Sequence, residues 1–107
     1  MSGIGKVNAA LTAASLIAAH RPDAMISTGC AGGLAPEPGV MGVVAADSTV
    51  YHDVWCGEGN AYGQVQGLPA RFDADARLLA VARDLADDPA VETPVCCGLT
   101  CTGDKFI

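Results

Sequence analysis

Among the residues able to do chemistry, Thr28-Gly29-Cys30-Ala31-Gly32-Gly33 stand out by type and spacing. Small side chains let backbone approach a ligand, and successive N–H groups can hold oxygen atoms. Close packing of a helix on a strand would use the same glycines, so both readings stand. Cys30 carries a nucleophile's thiol, but neither His20 nor His52 stands in a recognisable relation to it. Ser2-Gly3-Ile4-Gly5-Lys6 precedes an expected helix, whose free N–H groups could cradle an anion. It lacks the glycine spacing and the Lys-Ser/Thr pair of a phosphate loop, and no strand precedes it as a dinucleotide fingerprint requires. A plain tight turn is the preferred explanation. Cys96, Cys97 and Cys101 invite a metal or redox role, yet adjacent cysteines on a strand point to opposite faces and no second ligand pair follows. Buried structural thiols are favoured there. Tyr51-His52-Asp53 could form a small acid–base cluster, although hydrogen bonds from His52 that fix a strand end are the preferred reading.

The elements that must position these residues follow from pattern. Residues 6–20 are predicted helical, with Val7, Leu11, Ala14, Ile17 and Ala18 on one face and Pro22 as the stop. Ala24-Met25-Ile26-Ser27-Thr28 reads as a short buried strand that Gly29 breaks. Helix, turn and strand are half of a parallel α/β unit, and ligands bind at the C-terminal ends of such strands. That position nominates the Thr28–Gly33 loop. Residues 40–46 are the next predicted strand and residues 53–69 a glycine-rich loop. A second helix is expected over residues 73–87, capped by Asp73, with Leu78, Val81, Ala82 and Leu85 inward. A strand over residues 94–102 closes the pattern, and Gly103-Asp104 turn out of it.

The chain has 107 residues, half of them hydrophobic, which is room for one small folded domain and argues against disorder. Twelve acidic against six basic residues leave a net charge of −6. That sign argues against nucleic acid or an anionic membrane surface as the main partner. No apolar run is long enough to span a bilayer, and the N-terminus lacks a secretory cleavage pattern. Five cysteines at irregular spacing then read as reduced thiols in a cytoplasmic protein.

Several strings in order resemble the 5′-methylthioadenosine/S-adenosylhomocysteine nucleosidases. They are Ser2-Gly3-Ile4-Gly5-Lys6-Val7-Asn8-Ala9-Ala10, Pro22-Asp23, Thr28-Gly29-Cys30-Ala31-Gly32-Gly33-Leu34-Ala35-Pro36, Tyr51-His52-Asp53, Tyr62-Gly63-Gln64 and Thr102-Gly103-Asp104-Lys105-Phe106-Ile107. The resemblance covers essentially all of the chain but only a middle portion of the family's domain, whose first strands and C-terminal half have no counterpart here. It implies the α/β nucleoside phosphorylase fold, a three-layer α/β/α domain with a mostly parallel central sheet. The implied activity is hydrolysis of the N-glycosidic bond, releasing adenine from methylthioadenosine or adenosylhomocysteine in methionine salvage and nucleoside catabolism. Such a reaction needs an acid near the leaving base, a carboxylate to activate water, and anchors for the ribose. The family works as a homodimer on a small-molecule adenine nucleoside, with no metal and no organic cofactor.

By the same resemblance, Gly32 lies with its backbone against substrate, Phe106 stacks on adenine, and the backbone of Ile107 reads the base edge. Cys30 stands where the family often has serine near the catalytic water, with Ala31 beside it in the substrate-binding loop. Trp55 and its glycine-rich surroundings correspond to a loop that reaches toward the partner's 5′-substituent pocket. Val40-Met41-Gly42 departs from the family, which favours Gly-Asp after that valine. The family's catalytic glutamate, ribose-binding Met-Glu pair and proton-donating aspartate match no position here. Asp47, Asp53, Glu58 and Asp104 are carboxylates outside those motifs, so the chain alone is expected to be inactive. Alternatives are a non-catalytic remnant that binds adenine nucleosides, a futalosine-type nucleosidase, or a purine nucleoside phosphorylase. A phosphorylase needs a basic phosphate site, and of Lys6, Arg21, Arg71, Arg77, Arg83 and Lys105 only Lys6 falls in a suggestive loop. Hydrolysis is therefore preferred.

Overall fold

A computed structural model describes all of residues 1–107. The order of elements is α1 (Lys6–His20), β1 (Val43–Tyr51), β2 (Phe72–Asp73), α2 (Ala76–Asp87) and β3 (Val95–Thr102). They fall into two compact units, one of Met1–Ala31 with Gly103–Ile107 and one of Gly32–Thr102. The fold is α/β with a mixed sheet.

The unit of Gly32–Thr102 is built on a three-stranded sheet of order β2-β1-β3. β1 and β3 run parallel from Val43↔Val95 to Tyr51↔Thr102. The connection between them is long enough to hold α2, as a parallel crossover requires, and α2 packs on β3 and β1. The register slips between Ala46 and Ser48. Asp47 is the extra residue of that bulge; its carbonyl accepts the Ala74 N–H at 2.9 Å and its Oδ1 accepts the Ser48 hydroxyl at 2.8 Å. Ser48 is the most enclosed side chain, 4% exposed. Beyond the bulge, the hydroxyls of Thr49 and Thr100 lie 3.0 Å apart across the strands, and Phe72 meets Tyr51 edge-on at 5.9 Å. β2 adds two antiparallel residues, Asp73 opposite Ser48 and Phe72 opposite Thr49.

Residues 52–71 contain no helix or strand, as expected, but hold themselves by local bonds. Tyr62 Oη donates to the His52 carbonyl at 3.0 Å, Gly63 N–H donates to the Val54 carbonyl at 2.9 Å, and Trp55 stacks on Tyr62 at 6.5 Å. Gln64 closes the turn, accepting from Ala61 N–H at 2.9 Å and donating to the Leu68 carbonyl at 2.8 Å. Gly63 is buried with φ at +87°, and a Cβ there would overlap the Tyr51 carbonyl oxygen.

Four expectations need correction. Ala24–Thr28 forms no strand, and Ile26 is 74% exposed. A strand exists only by pairing, and no neighbour pairs with this segment. β1 begins at Val43 and not Val40, because Met41 takes a positive φ of 68° in the preceding turn. Asp75, not Asp73, caps α2, since Asp73 is committed to β2. The apolar stripe of α1 faces solvent, with Val7, Leu11 and Ile17 more than half exposed, and on α2 the residues partly covered are Leu78, Leu79 and Ala82. No apolar side chain is fully buried. The chain exposes 8446 Å², against roughly 5,500 Å² for a folded monomer of its mass.

Asp75 accepts the N–H groups of Arg77 at 3.0 Å and Leu78 at 3.1 Å. The Leu78 bond, then the Arg77 side chain, holds its carboxyl below the ordinary value of 3.8. A depressed acid stabilises the helix fully above 3.8 and loses that contribution as pH falls through its lower folded value. Asp75→Ala should speed amide exchange at Arg77 and Leu78 by about five- to tenfold near neutral pH. Asp75→Asn should retain most protection and remove its loss in acid. Gly63→Ala should destabilise the loop by about 2 kcal/mol or more, from backbone overlap added to positive-φ strain. Gly59→Ala, at φ +88° with open space around the added carbon, should cost only about 1 kcal/mol. Urea titrations followed by Trp55 fluorescence separate the two.

Candidate functional site

The five residues expected to touch substrate divide between the units. Cys30, Ala31, Phe106 and Ile107 belong to the unit of Met1–Ala31 and Gly103–Ile107, and Gly32 belongs to the unit of Gly32–Thr102. All five are exposed, Phe106 at 95% and Ile107 at 83%. A Cβ added at Gly32 would meet no atom within 4 Å, so packing inside this chain does not require glycine there. Helix–strand packing, the competing explanation for these glycines, therefore has no support at Gly32. Gly29 is equally open.

The glycine-rich turn before α1 is a turn and not an anion cradle. Gly5 occupies the N-cap position with φ at +97° and has no side chain to cap with. The carboxylate of Asp104 supplies what Gly5 lacks: Oδ1 accepts the Lys6 N–H at 2.6 Å, and Oδ2 lies 3.7 Å from Lys6 Nζ. Oxygen from the chain itself fills the place an anion would take. Asn8 finishes the turn by donating from Nδ2 to the Ile4 carbonyl at 2.7 Å. This 98-residue link was not legible in the sequence. Its one signal is that a helix opening on Gly-Lys needs an acceptor from elsewhere.

His52 does fix the end of β1, but through its backbone. Its N–H donates to the Thr102 carbonyl at 3.0 Å, and its carbonyl accepts from Tyr62. Cys96 and Cys97 sit half-buried at adjacent positions of β3, and all five cysteines are free thiols. Leu16 and His20 at the end of α1, with Pro22, Ala24, Met25 and Ile26, line a shallow open depression of about 240 Å³. The unit of Met1–Ala31 and Gly103–Ile107 thus offers an exposed aromatic ring at Phe106, and in the other unit open space surrounds Gly32. An exposed ring of this kind can give a flat heteroaromatic group an apolar face. No helix is long and apolar enough to cross a membrane.

The family model for the phosphorylase superfamily matches residues 1–107. Among curated proteins, the 5′-methylthioadenosine/S-adenosylhomocysteine nucleosidase of Anoxybacillus flavithermus is 46% identical over 107 residues, covering 99% of this chain and 46% of that protein. The nucleosidase of Neisseria meningitidis, crystallised with methylthio-immucillin-A, superposes with a TM-score of 0.91 at 42% identity, over 100% of this chain and 46% of that one. The Colwellia psychrerythraea nucleosidase in complex with adenine gives 0.91 at 36% identity, over 100% and 45%. The chain therefore spans just under half the length of the relatives it matches. The resemblance drawn from its motifs and the α/β fold both hold. Matched from first residue to last, this chain belongs to the phosphorylase superfamily.

Proposed function

We propose that this chain forms the adenine-binding portion of a nucleosidase that hydrolyses the N-glycosidic bond of methylthioadenosine and adenosylhomocysteine. The observation that carries the reading is the full-length superposition, at 42% identity, on a nucleosidase crystallised with methylthio-immucillin-A. In this reading Phe106 stacks on adenine, the backbone of Ile107 reads its edge, and Gly32 with Cys30 and Ala31 leaves room for the nucleoside. Water adds to the anomeric carbon as the bond to the purine nitrogen breaks, and a proton reaches the leaving base. The groups that activate that water and deliver that proton have no counterpart among the matched motifs. The 107 residues act as one partial domain of a cytoplasmic homodimer.

Hydrolysis is favoured over phosphorolysis because the cation nearest a suggestive loop has a carboxylate beside it. Lys6 Nζ faces Asp104 at 3.7 Å, so a phosphate there would meet a carboxylate. Arg77 lies 3.5 Å from Asp75 on α2.

Calorimetry with adenine and methylthioadenosine, run beside an adenine-release assay, tests the proposal on the 107-residue chain. Both ligands should bind, and no adenine should be released with or without phosphate. Gly32→Trp should leave folding unchanged, since open space surrounds that position, and should weaken methylthioadenosine binding by at least about tenfold. Absence of binding to either ligand would sink the assignment. Release that Gly32→Trp abolishes would mean that the chain supplies its own acid and base.

A further inference from the structure

Phe106 and Ile107 are almost wholly exposed, so packing of their own side chains does not hold them in place. Two residues before Phe106, however, Asp104 is anchored on the first turn of α1. Its Oδ1 takes the Lys6 N–H at 2.6 Å, its Oδ2 faces Lys6 Nζ at 3.7 Å, and Gly5 is so close that a Cβ there would lie 3.2 Å from Oδ1. A glycine at this N-cap therefore does two things. It leaves the N–H groups of the helix without a local acceptor, and it clears the space through which a carboxylate from residue 104 reaches them. The short segment Gly103–Ile107 is grouped with Met1–Ala31 although Thr102, the residue before it, ends β3 in the other unit.

We infer that Asp104 is a positioning residue, whose carboxylate, by capping α1 at Lys6, fixes the backbone that presents Phe106 and Ile107 to an adenine ring. The inference rests on the reading that those two residues hold adenine. The hydrogen bond carries the effect and the ion pair adds little. The bond joins a charged acceptor to a helix N-terminus, where both charge and dipole strengthen it. The Nζ contact is long, and the Lys6 and Asp104 side chains are 30% and 51% exposed, conditions in which ion pairs contribute close to nothing.

Lys6 is the first helical residue, so its N–H can be deleted without harm to the helix itself. Proline is favoured at that position, and the ψ of Gly5, 159°, lies in the range that a following proline requires, while its φ of +97° is one that glycine tolerates. Four variants of the full chain then separate the contributions: Asp104→Ala removes bond and ion pair, Asp104→Asn keeps an acceptor, Lys6→Met removes only the ammonium, and Lys6→Pro removes the N–H donor. Adenine affinity is read by calorimetry, and the Lys6, Phe106 and Ile107 amides by NMR. Asp104→Ala and Lys6→Pro should each weaken adenine binding by about five- to tenfold, because binding must then order the segment. The Phe106 and Ile107 amides should move to random-coil shifts while helicity of α1 persists. Asp104→Asn and Lys6→Met should stay within about threefold of the parent. Should Asp104→Ala fail to fold, Lys6→Pro gives the same answer from the other partner. Unchanged affinity and unchanged Phe106 and Ile107 shifts in Lys6→Pro would overturn the inference, as would Asp104→Asn failing as fully as Asp104→Ala. If the parent chain binds no adenine, the base-binding reading has failed, and the amide shifts alone still decide whether Asp104 orders the segment.

Discussion

The parallel pairing of β1 with β3 is the constraint on which the larger unit depends. No apolar side chain is fully buried, so hydrophobic burial does not dominate there in the usual way. What remains is an eight-pair ladder, one helix laid over it, and a loop tied to its end. Parallel strands cannot be joined by a hairpin, so this pairing obliges the chain to travel through β2 and α2 before it returns. The Asp47 bulge lets both halves of β1 keep their partners despite one extra residue, and uses that residue to receive β2 through the Ala74 N–H. The T-shaped contact of Tyr51 with Phe72 and the seat of Gly63 against the Tyr51 carbonyl both lie on the strand beyond that bulge.

The smaller unit is governed by satisfaction of backbone polar groups. A 15-residue helix begins on a glycine that cannot cap it, and the deficit is met from the other end of the sequence. Electrostatics here is local: a carboxylate at a helix N-terminus appears twice, Asp104 on α1 and Asp75 on α2. One is contributed at a separation of 98 residues and the other at two or three. The net charge of −6 therefore does more than confer solubility, because two of its carboxylates terminate helices.

Much of this was readable from the residues. The periodicity of residues 6–20, the alanine content and Pro22 predict α1 at its observed bounds, and the apolar run after Pro94 predicts β3 within one residue. The glycine-rich stretch after Asp53 predicts irregular structure, and it contains no helix or strand. The misses share a cause, which is that strands and faces are defined by partners. Ala24–Thr28 has the composition of a strand and nothing to pair with, and the stripe on α1 has the spacing of a buried face and no cover. Asp73 and Asp75 are equally good caps by type, and the choice between them was made by Ser48 across the sheet. Of the candidate site, the motif order leads to the superfamily and nominates Phe106, Ile107 and Gly32 for the proposed binding role. The bond from Asp104 to Lys6 follows no local rule, so no spacing could announce it.

That bond has a consequence for how the protein is made. Lys6 precedes Asp104 by 98 residues, so α1 leaves the ribosome before the carboxylate that caps it has been made. Gly32–Thr102 is continuous in sequence, and its sheet can close as soon as β3 has been extruded. A helix is thus completed by residues made long after it. Until Asp104 is made, the apolar stripe and open amino end of α1 are surface that a nascent-chain chaperone would meet.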